Sequence, residues 1–271
     1  MTRFNSKFVA DEKQWFTEQR LFTLNTYDKS VQKKIVDLEE KFGKVCFTPL
    51  DVPIIKAQNS QKFVEWYFAN SKMAIKQNKD IANEYTGAPS FLSIDKMPES
   101  HYTSKSIWTK NLINNFEDQW PELWQQFYEY LPFDNIIGFS MWSSIRDIIP
   151  HRDPTLFLDL PLEFRILLHD PNPEKNLFVR ETLPNLDIDQ LESKHAVPND
   201  IDTNTFVWSN LRSQHTSVYN SKYKKIILIF HRTNVINWNR YESLLEKSCL
   251  KYRDHQLISR HNIQDFINHE F

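Results

Sequence analysis

The chain has 271 residues, 40% hydrophobic and 14% aromatic, with a formal net charge of -2. That composition supports one sizeable core and excludes general disorder, and the near-balanced charge excludes a basic field for nucleic acid. With 3 Gly and no Gly-x-Gly-x-x-Gly or Gly-x-x-x-x-Gly-Lys pattern there is no phosphate-cradling loop, and 2 cysteines, Cys46 and Cys249, exclude a disulfide framework and a Cys-rich zinc site.

Met1 to Lys7 leads into charge without an apolar signal core, and no apolar run approaches the ~20 residues of a membrane span. The expectation is a cytoplasmic protein with two reduced thiols and neither a membrane nor a nucleic-acid partner.

Residues 1–134 read as a mainly helical region. From Asp28 to Phe42, the residues Val31, Ile35, Leu38 and Phe42 recur on one helical face, and Gly43 stands where a helix stops. Asn59 to Lys76 is a second helix, with Phe63, Tyr67 and Phe68 on its apolar side. Glu117 to Leu131 is the clearest: Trp120, Leu123, Trp124, Phe127 and Leu131 follow the i, i+3, i+4, i+7 spacing, and Pro132 ends it. Such an aromatic stripe reads as core.

The texture changes at 135. Strand-length apolar runs follow at Ile136–Trp142, around Ile148–Asp153, and at Phe164–His169, Asn176–Glu181, Thr205–Ser209 and Lys225–His231, separated by Asp, Asn and Pro turns. Leu183 to Val197 is acidic and irregular. After Asn234 the helical pattern returns, over Tyr241–Tyr252 and Ile263–His269. The expectation is a single domain of α+β class, mainly β at its centre. A sheet core over 135–233 is flanked by helices from 1–134 and a helical extension over 234–271.

The chemistry-bearing residues fall within that core. In Ile148-Ile149-Pro150-His151-Arg152-Asp153, an extended backbone sets His151 and Asp153 on the same face. A second imidazole waits in Arg212-Ser213-Gln214-His215-Thr216. Two imidazoles and one carboxylate, with the remaining positions open, form the facial donor set of non-haem Fe(II) oxygenases. A lone His-x-Asp is a weak signal. It gains weight here from Pro150 at a strand end, from the distal His215, and from Lys225 ten residues beyond it at the head of Ile226-Ile227-Leu228-Ile229-Phe230.

In this order of motifs the chain resembles the Fe(II)/2-oxoglutarate-dependent dioxygenases, and within them the aspartyl/asparaginyl β-hydroxylase and proline hydroxylase branch. The resemblance spans about residues 136–233, including Phe164-Arg165-Ile166-Leu167-Leu168-His169-Asp170-Pro171. It implies a double-stranded β-helix, a cupin-like jelly roll, whose mouth holds Fe(II) through His151, Asp153 and His215 and binds 2-oxoglutarate as cosubstrate. Lys225 then neutralises the far carboxylate of 2-oxoglutarate, with Ser221 as hydroxyl helper and Arg165 or Arg232 as substitutes. The family usually has Arg there, which grips a carboxylate bidentately where Lys acts as a point charge. Asp153 favours hydroxylation over halogenation.

Arg146, Arg180 and Trp142 are the candidates for contact with a small polar substrate or peptide, although a surface salt bridge is the commoner fate of an arginine and core packing that of a tryptophan. His169 is the rival ligand. A cupin-like binding module and a zinc hydrolase on the same cluster are the competing readings.

Overall fold

The computed structural model describes residues 29–73, 90–95, 113–143, 148–151, 163–170, 177–181, 195–196, 198, 200–209, 213–217, 225–230 and 235–259. Its elements in chain order are α1 (Lys29–Phe42), β1 (Val45–Pro49), α2 (Ser60–Asn70), β2 (Lys72–Met73), β3 (Ser90–Asp95), α3 (Phe116–Gln119) and α4 (Pro121–Tyr130). They continue with β4 (Phe133–Asn135), β5 (Gly138–Ser143), β6 (Ile148–His151), β7 (Glu163–His169), β8 (Leu177–Glu181), β9 (His195–Ala196) and β10 (Thr205–Trp208). β11 (Ser213–Ser217), β12 (Ile226–Phe230), β13 (Val235–Ile236), α5 (Trp238–Lys251) and β14 (Leu257–Ile258) complete the order. The helix expected over Ile263–His269 lies outside the described residues.

The fold is α+β. Eight strands form one sheet in the order β14-β1-β10-β7-β12-β5-β3-β2, four form a second in the order β6-β11-β8-β9, and β13 pairs with β4. Among the described residues the strand pairings are all antiparallel.

Helix ends follow local chemistry. Gly43, at φ +83, donates its N–H to the Glu39 carbonyl at 2.9 Å and closes α1 in the left-handed conformation glycine tolerates. The Asn59 carboxamide caps α2 by accepting from the Lys62 N–H at 2.9 Å, and the Asn237 side chain does the same for α5 from Arg240 N–H. The helix read over Glu117–Leu131 divides in two. Pro121 pushes the residue before it out of helical geometry, so Trp120, at φ -134 and ψ 58, ends α3 and precedes α4.

Sheet residues also come from outside 135–233: β1, β2 and β3 from the N-terminal region and β14 from the C-terminal one. β1 escaped the alternation test because Val45 to Pro49 is buried at every position, so no polar phase marks it.

Alternation along the central strands sorts residues onto two faces of the large sheet. Phe139, Met141, Phe164, Ile166, Val207, Ile226, Leu228 and Phe230 join the helices α2 to α5 in one core. Phe127 of α4 meets Phe139 at 5.8 Å and Phe230 at 5.3 Å between ring centroids, both edge to face, an arrangement aromatic pairs prefer. The opposite face carries Phe47, Phe206 and Trp208, packed with Leu167, Ile227 and Leu257. β8 of the four-stranded sheet lies against β1 and β14.

The loop into β10 is stapled by Asn204. Its oxygen accepts from Ile55 N–H at 2.9 Å, and its amide donates to the Ile55 and Leu167 carbonyls at 2.7 and 2.9 Å. Among the described residues no helix is long and apolar enough to cross a membrane.

Candidate functional site

The four-stranded sheet brings two of the expected ligand positions into register. β11 pairs with β6 so that His215 and His151 are cross-strand partners. Partners in an antiparallel ladder share a face, with Cα atoms about 4.5–5.5 Å apart, a separation that two ligands of one metal ion can span. The pairing shifts between His215 and Ser217, where β6 carries one extra residue, a bulge beside the histidine row. Pro150 sits in this strand, the outermost of its sheet, where a missing N–H is tolerated. Asp153 lies outside the described residues, as do Ser221, Arg232 and Arg146. Among the described residues no three His, Cys, Asp or Glu side chains gather as a metal cluster.

The same row runs on through Val179 of β8 to His195 of β9. Nothing in the irregular stretch 183–197 signals this strand in the sequence. At strand spacings of about 4.8 Å the position of His195 is about 10 Å from that of His215. Arg180 pairs with Gln214, one residue out of phase with this row. Alternate residues of a strand occupy opposite faces, so Arg180 does not share the face of the His151 and His215 positions.

The remaining candidates lie in the large sheet. Lys225 is 7% exposed at the head of β12. Burial depresses its pKa to about 8, partly countered by the negative charge of Asp170. His169, the rival ligand, pairs with Ile226 in this sheet and not in the row of His151 and His215. Burial lowers its pKa, again against the pull of Asp170.

Arg165 is 2% exposed and paired with Glu163, which is 1% exposed. Its guanidinium lies 3.9 Å over the Trp208 ring. A cation engaged on two sides by protein groups is poorly placed to serve as a substitute carboxylate anchor. The sequence offered no signal for Glu163, whose partner two residues on the same strand face becomes evident only once the strand is buried. Trp142 is half-buried on the same face, opposite Ile227.

No protein-family model matches the chain, and no curated protein matches it in sequence. Among solved structures it is similar to the crystal structure of an oxidoreductase of the 2OG-Fe(II) oxygenase family from Burkholderia pseudomallei. The identity is 11%, the match covers 75% of this chain and 93% of that one, and the TM-score is 0.42.

Proposed function

We propose that the chain is an Fe(II)- and 2-oxoglutarate-dependent dioxygenase with a double-stranded β-helix core. It hydroxylates an amino acid, a peptide side chain or another small polar substrate, releasing succinate and CO2. The observation that carries this reading is the cross-strand pairing of His151 with His215 beside a bulge. In this reading the two histidines would provide neutral nitrogen donors, and Asp153, two residues past His151, the charge-compensating carboxylate. Iron, when bound, couples O2 reduction to oxidative decarboxylation of 2-oxoglutarate.

The chain's own residues do the rest. His151 and His215 must be unprotonated to bind metal, so acid weakens the site. Asp153 would take the coordination position that a halide would otherwise need. Lys225, buried at the head of β12, offers the ammonium that a carboxylate of the cosubstrate requires. With a pKa of about 8 it is mainly protonated at neutral pH and loses that hold as the medium becomes alkaline. Trp142 and Arg146 are the residues assigned to substrate contact in this reading.

Metal analysis and succinate release test it together. Wild-type protein should retain close to one Fe(II) and produce succinate from 2-oxoglutarate and O2, slowly without substrate and faster with the right amino-acid or peptide pool. His151→Ala and His215→Ala should lose the metal while keeping the circular dichroism spectrum. An iron-loaded, folded protein that makes no succinate with any pool would instead fit a cupin-like binding module. Zinc retention with hydrolytic turnover would fit a zinc hydrolase.

A further inference from the structure

We propose that Asp170 is the resident counter-ion of Lys225 and competes with an anionic ligand for it, making Asp170 the residue that sets how tightly this end of the sheet takes a carboxylate. The inference rests on the role given to Lys225 above and adds a determinant to it.

The ladder between β7 and β12 ends at the pair Ile226 and His169. The next residues outward on the two strands are Lys225 and Asp170, so the backbone itself sets a lysine and an aspartate side by side. Lys225 is buried and Asp170 half-buried. A charge so poorly hydrated calls for a counter-charge, and among the described residues Asp170 is the carboxylate in register that acts on it. Its field raises the proton affinity of both Lys225 and His169 against the effect of burial.

Among the described residues at the adjoining positions, no other group carries a negative charge directed at Lys225. On β5 the adjoining described residue on this face is Trp142, which is not ionic. Along β7 the next charged residues are Arg165 and Glu163, which are engaged with each other. One ammonium with one carboxylate is balanced. A dicarboxylate that arrives at Lys225 adds a second anion to the same cation, and the two anions repel each other at short range. Asp170 therefore lowers affinity for the ligand while it keeps Lys225 protonated enough to bind at all.

The two effects separate experimentally. Lysine labelled with 13C at Cε gives a resonance for Lys225, assigned by its loss in Lys225→Met and followed against pH in the wild type, Asp170→Asn and Asp170→Glu. The wild-type midpoint should lie near 8. Asp170→Asn should titrate lower, and Asp170→Glu, which keeps the charge, should stay close to wild type.

2-Oxoglutarate is then added at pH 6.5, where the amine is protonated, with Zn(II) as a diamagnetic stand-in for iron. Asp170→Asn should bind it about threefold tighter or more, the size of a like-charge contact between partly solvated groups. Equal midpoints in wild type and Asp170→Asn would overturn the ion pair. A lowered midpoint with unchanged or weaker binding would overturn the competition. If 2-oxoglutarate moves the Lys225 resonance in neither protein, the competition falls together with the cosubstrate role of Lys225, and only the ion pair stands.

Discussion

The two faces of the eight-stranded sheet are built from the same strands and are both buried, yet they are held by different physics. Toward the helices, Phe127, Phe139, Phe164 and Phe230 meet almost without polar atoms. Toward the other side, the same strands bury Lys225 at one end of the sheet and, at the other, Glu163 and Arg165, whose guanidinium lies over Trp208. Apolar contact stabilises the first face at any pH. The second face carries charges whose desolvation costs nearly all that their pairing returns. Its charged groups are therefore the place to look for function, because packing alone gives no reason for them.

The largest separation between the faces should come from truncation. Phe127→Ala should destabilise the protein by about 4 kcal/mol in urea denaturation, because a fully buried ring leaves a cavity among Phe116, Phe139 and Phe230. On the other face, Arg165→Met should cost about 3 kcal/mol, since it strands the Glu163 carboxylate; the double variant Glu163→Leu with Arg165→Met should recover most of it. A double variant no better than the single one would mean that the guanidinium's contact with Trp208, and not the charge balance, is what the face needs.

Lys225→Met should act in the opposite direction and depend on pH. The folded-state pKa of about 8 is below the ordinary lysine value of 10.5, so between these values the unfolded chain binds more protons and stability rises with pH. The charged form burdens the fold fully below about 8 and is relieved by about 10.5. Lys225→Met should therefore stabilise the protein by roughly 2 kcal/mol at pH 7, with the gain fading as the medium becomes alkaline. Thermal melts at pH 7 and pH 10 read the difference. A gain that is the same at both pH values would show that the ammonium is not what burdens this face.

The smallest effect belongs to the helix-side face. The Thr205 hydroxyl is buried there without a hydrogen-bond partner among the described residues, while the Thr205 N–H donates to Thr203 Oγ1 at 3.2 Å. Thr205→Val should stabilise by up to about 1 kcal/mol, as an unsatisfied polar atom is replaced by a methyl of the same shape. A loss of stability would reveal a hidden partner and make the two faces less different than they look.

Much of this was legible in the chain itself. The periodicity of Val31 to Phe42 and of Leu123 to Phe127, with Gly43 as a stop, marked helices because these patterns arise from local backbone geometry. The apolar run Ile226–Phe230 marked a central strand, and His151, His215 and Lys225 stood out as residue types that such strands rarely carry without cause.

Other features required the tertiary structure. Cross-strand register depends on which strand lies beside which, and no local pattern encodes that. Hence the row His151, His215, Val179, His195 and the phase that sets Arg180 apart emerged only from the pairing. β1 is buried on both sides and so lost the alternation that would have announced it. The engagement of Arg165 with Glu163 and Trp208, and the neighbouring positions of Lys225 and Asp170, follow from burial and pairing between segments far apart in the chain. Sequence chose the residues able to do chemistry, and the long-range contacts decided which of them share a face.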